Sequence, residues 1–224
     1  MFIDKSMTKN VVAVGPEMSI VAAREIMVKN GIRHLPVVVE DDKLVGIVTD
    51  RDIRTAMPSA VLFDAEHAAQ LEQLAGVKVQ DIMTSGPVTV SPTQTLEDAL
   101  LMMEMHKVGA FPVVDGEGRL KGIVSVRDLM RAFVSVLGLR DPGVLIGIVV
   151  EDKLGQMKKI VDAISELGIS FGSVLVARTW EEGKRAVFPY VLTNNIARVR
   201  KHLREKGFTL LDPMDWYLDQ VPKK

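Results

Sequence analysis

Apolar and polar positions along this chain follow a pattern that is written twice. An apolar run at 11–14 is ended by Pro16, and Ile20, Ala23, Ile26 and Met27 then recur at helical spacing on one face. Two β-branched runs follow, 35–39 and 44–49, across the polar turn Glu40-Asp41-Asp42-Lys43. The same succession returns at a constant offset of 76 residues without a gap. Met7-Thr8 matches Met83-Thr84, Pro16 matches Pro92, Met27 matches Met103 and Pro36-Val37-Val38 matches Pro112-Val113-Val114. Gly46-Ile47-Val48-Thr49 matches Gly122-Ile123-Val124-Ser125. Register held over such a distance marks an internal duplication. Each copy predicts strand, helix, strand, strand, helix. Ser19 is placed to cap the first helix and Gly31 to stop it, and Thr95 with Asp98 makes a capping box in the second copy.

Between the copies, Pro58-Ser59 interrupts, and the Ala-, Glu- and Gln-rich stretch 64–74 predicts a connecting helix that packs on the module. After Asp128 a helix is expected through Leu129, Met130, Phe133, Val134 and Leu137 to a stop at Gly138. The turn-rich Arg140-Asp141-Pro142-Gly143 marks a boundary, and the pattern then changes. A near-continuous apolar strand is expected at 144–150, a helix at 155–167 and a hairpin of 171–178 with 186–193. Asn194 or Asn195 is placed to cap a helix running to Gly207, and 208–211 is a last strand. That order is the ferredoxin-like arrangement. The fold class is therefore α/β, mixed α+β: repeats at 1–60 and 79–138, a helical linker at 61–78, and a βαββαβ domain at 143–217.

Composition narrows the chemistry. A 47% hydrophobic fraction supports a packed core, and a net charge of −1 gives no general attraction to nucleic acid or an anionic membrane. Without cysteine there is no disulfide, thiolate nucleophile or cysteine metal site. Residues 1–6 lack the features of a signal peptide, and the longest apolar stretch outside the repeats, 144–150, is far short of the ~20 residues of a spanning helix. The expectation is a soluble, cytoplasmic protein without a membrane partner. Arg198, Arg200, Lys201, Arg204 and Lys206 form a basic helix, which reads as a solvated face before an acidic protein partner, and nucleic acid is not expected. No phosphate loop, nucleophile elbow or zinc-protease motif is present; His34, His67, His106 and His202 are scattered, so neither a metal nor an enzymatic activity is expected.

The repeated ends carry the candidate chemistry. Thr49-x-x-Asp52 and Ser125-x-x-Asp128 follow strands and open helices, which is the pattern of a capping box. The same corner offers free backbone N–H groups and the positive end of a helix dipole, which suit a phosphate. The two uses are compatible. Asp50 aligns with Val126, so a carboxylate pair is not needed at this corner, while Arg51 and Arg127 are shared. Arg33-His34 aligns with Gly109-Ala110, so two unequal clefts are expected, the one near Arg33 and His34 better suited to phosphate.

Met-Thr at the start, the Pro-Val-Val strand and Gly-Ile-Val-[Ser/Thr]-x-x-Asp at the end together resemble the CBS domain, and the pair resembles a Bateman module, over about residues 1–135. The resemblance implies two pseudo-symmetric units with clefts between them for an adenine nucleotide (AMP, ADP or ATP) or S-adenosylmethionine. By motif position, Thr49 and Ser125 would contact phosphate, and Asp52 and Asp128 ribose. Val12, Arg33, His34, Pro36, Arg51, Val88, Ala110, Pro112 and Arg127 would line the base and phosphate region. Asp152-Lys153-Leu154-Gly155-Gln156-Met157, followed by Leu167-Gly168-Ile169-Ser170, resembles the ACT domain, which senses amino acids at dimer interfaces. That likeness implies a ligand near Asp152, Gly155 and Ser170, with Leu154 standing where the family often has proline and Ser170 where it often has asparagine. A CBS pair followed by an ACT-like domain is similar to the acetoin-utilisation regulatory proteins of bacteria. The function implied is a non-catalytic, homodimeric regulatory sensor that passes ligand state to the ACT-like domain or a protein partner; the alternative is a ligand-free dimerisation scaffold.

Overall fold

The computed structural model describes residues 1–57 and 76–211, apart from the side chain of Thr179. The helix expected at 64–74, with His67, lies outside the described residues, as do 212–217. The chain divides into two compact units, Met1–Met130 and Arg131–Lys224.

The first unit holds both repeats. The first contributes α1 (Ile20–Asn30), β1 (His34–Val39), β2 (Lys43–Thr49) and α2 (Asp50–Ala56). The second opens with the short α3 (Val79–Ile82) and β3 (Thr84–Ser85). It continues through α4 (Leu96–His106), β4 (Ala110–Val114), β5 (Leu120–Ser125) and α5 (Val126–Val136). Local chemistry sets these boundaries. Ser19 Oγ accepts the Ala22 N–H at the start of α1, and Thr95 and Asp98 close the expected capping box on α4.

The expected strand at 11–14 is not formed. Only Val14 bridges, parallel to Val37: its N–H donates to the Pro36 carbonyl (3.0 Å), and Val38 N–H donates to the Val14 carbonyl (2.9 Å). Val90 does the same between Pro112 and Val114. Pro16 and Pro92 lack the N–H that a longer ladder needs, so the pairing stops after one rung.

The two repeats exchange their opening segments. Thr8 of the first bridges Ile123 in β5, while β3 of the second pairs antiparallel with β2, Ile47 opposite Thr84. Ile3 N–H donates to Gln94 O, and at the corresponding place in the other copy Val79 N–H donates to Met18 O. The hairpin turns also meet at equivalent residues, Lys43 bridging Arg119. Ile3, Ile20, Leu35, Ile53, Leu96, Phe111 and Leu129 are fully buried in this unit, each worth about 1.5–3 kcal/mol of apolar transfer.

The second unit carries β6 (Val144–Leu145), β7 (Ile148–Glu151), α6 (Gln156–Ser165), β8 (Phe171–Glu181), β9 (Lys184–Val191), α7 (Ile196–Glu205) and β10 (Thr209–Leu210). The single strand expected at 144–150 is broken in two at Gly147, where Leu211 packs so closely that an added Cβ would lie 2.8 Å from it. The sheet runs β10-β7-β9-β8, all neighbours antiparallel, with β6 beside β9 in line with β7. This is the expected β-α-β-β-α-β order. Ile160 and Ile164 of α6 with Val199 and Leu203 of α7 bury against Ile148, Val187 and Val191. Asn195 is the cap of α7, its Oδ1 accepting the Arg198 N–H (3.2 Å). Arg198, Lys201 and Arg204 are exposed, while Glu166 takes His202 and Lys206, which holds its carboxyl below the usual range.

Candidate functional site

The two strand-to-helix corners have the same construction. In the first, the Thr49 hydroxyl (2.7 Å) and N–H (2.8 Å) both donate to Asp52 Oδ2, and Asp52 N–H donates back to Thr49 Oγ1 (3.2 Å). In the second, the Ser125 hydroxyl (2.6 Å) and N–H (2.9 Å) donate to Asp128 Oδ2, with Asp128 N–H returning to Ser125 Oγ (3.4 Å). Both corners are thus closed capping boxes, as the spacing predicts. The hydrogen bonds accepted by the Asp52 carboxylate both fall on Oδ2, which leaves Oδ1 without a hydrogen-bond partner among the described residues. Asp128 is only 7% exposed, the one buried charged side chain among the described residues.

The segment ahead of each hairpin fastens its corner. Asp50 N–H donates to the Arg33 carbonyl and Val126 N–H to the Gly109 carbonyl, both at 3.0 Å. Through β-pairing, His34 stands opposite Thr49, and Ala110 opposite Ser125. Arg33, Arg51 and Arg127 are exposed around these corners.

His34 also crosses to the other repeat. A Cβ built on Gly109 would lie 3.5 Å from its Nε2. Burial, and then the Arg33 guanidinium, pull its pKa below the ordinary histidine value, against a weaker opposing pull from Asp52. His106, by contrast, ends α4 and sets its ring edge-on to Phe111.

The remaining expected lining residues divide. Pro36, Ala110 and Pro112 are buried strand positions, with the proline carbonyls committed to Val14 and Val90. Val12 packs partly buried against the first repeat's core, whereas Val88 is exposed. The residue pattern had not revealed the exchange of opening segments. Its signal lay in the pairing of a repeated Met-Thr with a repeated glycine: a Cβ on Gly46 would collide with Met83, and one on Gly122 would stand 2.6 Å from Met7 Sδ.

The profile of the CBS domain matches residues 3–59 and 79–135, just over half of the chain. The chain belongs to the CBS-domain family. Solved relatives agree with its CBS repeats. The CBS domain pair of protein MJ0100, in complex with 5′-methylthioadenosine and S-adenosyl-L-methionine, is 29% identical with a TM-score of 0.50, covering 59% of this chain and 95% of that one. CBSX2 from Arabidopsis thaliana, in complex with AMP, is 31% identical with a TM-score of 0.50, covering 59% and 96%. A protein assigned to acetoin utilization (AcuB) from Vibrio cholerae is 25% identical with a TM-score of 0.51, covering 62% and 95%.

In the second unit, Asp152 pairs with Arg185 (Oδ1 to Nε 2.5 Å), Ser170 O accepts Leu192 N–H, and Gly155 begins α6 at φ +86° with open space where a side chain would go. No hydrogen bond among the described residues joins these three. Among the described residues no cluster of three or more metal-ligating side chains forms, and no helix is long and apolar enough to cross a membrane.

Proposed function

We propose that the CBS pair is a non-catalytic regulatory sensor for an adenosyl ligand, an adenine nucleotide or S-adenosylmethionine. The ligand sits between the repeats, and its sugar-phosphate lies along the Thr49–Asp52 and Ser125–Asp128 corners. The observation that carries this is the equivalence of those corners within one exchanged unit: the same hydroxyl, carboxylate and helix start appear twice. The hydroxyls would turn to phosphate oxygens, where the N-termini of α2 and α5 offer free N–H groups. The carboxylates would accept from ribose hydroxyls, and exposed Arg33, Arg51 and Arg127 would supply cations. Support comes also from the two solved relatives whose CBS pairs hold AMP, or S-adenosyl-L-methionine with 5′-methylthioadenosine.

The second unit fits an ACT-like role, on its β-α-β-β-α-β order and the open glycine at the start of α6. Occupancy of the CBS clefts would change how that unit, or a protein partner, is presented. Coupling of this kind is typically about 1–3 kcal/mol and acts equally in both directions. The exposed apolar side chains of Leu101 and Met105 on α4 and Met130 on α5 suit pairing of two copies. A ligand-free scaffold is the competing function, favoured by corners already closed on themselves. Calorimetric titration with AMP and S-adenosylmethionine separates them: saturable heat that Asp52→Ala and Asp128→Ala diminish supports the sensor, and no heat with either ligand at millimolar concentration leaves the scaffold.

A further inference from the structure

The second repeat's closing helix runs on where the first repeat's stops. At the 76-residue offset Val134 stands in the place of Pro58. Ahead of that proline α2 ends at Ala56, and Met57 is extended (φ −94°, ψ 139°), the conformation a following proline favours. α5 meets no such stop and is continuous over Val126–Val136. It starts at the Ser125–Asp128 corner, and the boundary between the two compact units falls inside it, between Met130 and Arg131.

The far end of α5 is fastened. Gly138 closes it in the left-handed conformation at φ +66°; its N–H donates to the Ser135 carbonyl (3.2 Å), and Leu139 N–H donates to the Val134 carbonyl (3.2 Å). Gly138 then lies on the start of β8. A Cβ added to it would stand 3.0 Å from Gly172 Cα, and one on Gly172 would stand 3.4 Å from the Leu137 carbonyl oxygen and 2.7 Å from the Tyr190 ring. Next along the chain, Tyr190 OH donates to the Asp141 carbonyl (2.7 Å), and a Cβ on Gly143 would meet the Val191 carbonyl oxygen at 2.7 Å. All of these contacts lie within the second unit. The turn-rich stretch after α5 is therefore seated on β8 and β9 by close backbone approach rather than left as a loose tether.

We infer that α5 is a built-in coupling element: a ligand held at the Ser125–Asp128 corner steadies the helix from its first turn, and the helix carries this to the Gly138–Gly172 seat, and so to β8 and β9. The inference rests on the sensor function proposed above, for which it supplies the route. A helix suits the task because its turns form cooperatively. Each further turn adds hydrogen bonds to one already fixed, so ordering one end raises the population of an intact far end. Fully buried Leu129 anchors the start of α5, and the glycine seat anchors its finish, so the ordering has somewhere to go. α2, ending at Ala56, offers no counterpart.

Hydrogen exchange of the full chain, with and without saturating AMP or S-adenosylmethionine, is the test. Slower exchange with ligand is expected in peptides covering 132–143 and 171–176, by about fivefold or more, the lower end of ordinary coupling between sites. Val134→Pro gives the second repeat the stop that the first repeat has. This variant is expected to bind the ligand still, weakened by no more than the factor seen in exchange, because coupling is reciprocal. Exchange at 171–176 should no longer respond in it. Ser135→Gly combined with Val136→Gly, both at exposed positions, softens the same helix without disturbing the core and should reduce the response. A ligand that binds the natural protein but leaves 171–176 unmoved overturns the inference. So does an undiminished response in both helix variants. Loss of ligand binding from both also overturns it, since α5 would then belong to the site rather than to the route from it. If Val134→Pro does not fold, the double-glycine variant decides alone. Failure of the natural protein to bind either ligand removes the sensor function itself, a distinct outcome.

Discussion

Met7 lies over Gly122, and Met83 over Gly46, so each repeat's opening residue covers the glycine of the other repeat's central strand. A Cβ on Gly122 would stand 2.6 Å from Met7 Sδ and 3.0 Å from the Thr8 carbonyl oxygen. The thioether can swing away, but the backbone carbonyl cannot without breaking the Thr8–Ile123 bridge.

Gly122→Ala is therefore expected to cost about 1–3 kcal/mol, the range for overpacking a tight core. Gly46→Ala should cost less, because its nearest backbone atom, Thr84 O, is further off at 3.2 Å. Chemical denaturation measures both; a Gly122→Ala midpoint equal to that of the natural protein would refute the exchanged packing.

The corners should matter to stability even without ligand. Asp52→Ala removes one side of a capping box and is expected to cost about 1 kcal/mol. Asp128→Ala should cost more, up to about 2 kcal/mol, because its carboxylate is buried and its loss leaves the Ser125 N–H and hydroxyl to find new partners. Thermal melts of the unliganded variants rank them, and a smaller loss in Asp128→Ala contradicts the structure.

Gly31 ends α1 at φ +62°, and its equivalent, Lys107, ends α4 in the same left-handed conformation at φ +54°. A side chain is strained there. Lys107→Gly is expected to stabilise by up to about 1 kcal/mol, a gain only glycine's freedom explains. A lower melting temperature in that variant would mean the helix ends differently.

His34 makes a pH prediction independent of ligand. Its folded pKa is depressed, so between that value and the unfolded value of about 6.5 the unfolded chain binds more protons. The stability is present above about pH 6.5 and is lost as pH falls from there toward the folded value, by at most about 1.4 kcal/mol per pH unit. His34→Gln should flatten that segment of the stability-versus-pH curve. Parallel curves for the two proteins would show that the imidazole is not sequestered.

The duplicated pattern made most of the first unit legible, because a 76-residue offset fixes hairpins, caps and corners twice over. Ser19, Thr95 and Asn195 cap where their chemistry predicts. Two apolar runs misled. Residues 11–14 form a single bridge because Pro16 supplies no donor beyond it, and 144–150 splits where Leu211 crowds Gly147. Of the candidate site, the Thr49–Asp52 and Ser125–Asp128 pairs were readable from four-residue spacing, which is local. The reach of His34 to Gly109 was not, because it joins positions whose proximity depends on how the repeats pair rather than on either repeat's own pattern.

The central claim is that paired corners of this CBS module hold an adenosyl ligand, and thermal melting with AMP and S-adenosylmethionine tests it most directly. At 100 times its dissociation constant, a ligand that binds only the folded state adds about 2.7 kcal/mol, a rise of a few degrees for a unit of this size. The expected result is such a rise with at least one of the two, reduced in Asp52→Ala and Asp128→Ala. Melting temperatures unmoved by either ligand at millimolar concentration would contradict it.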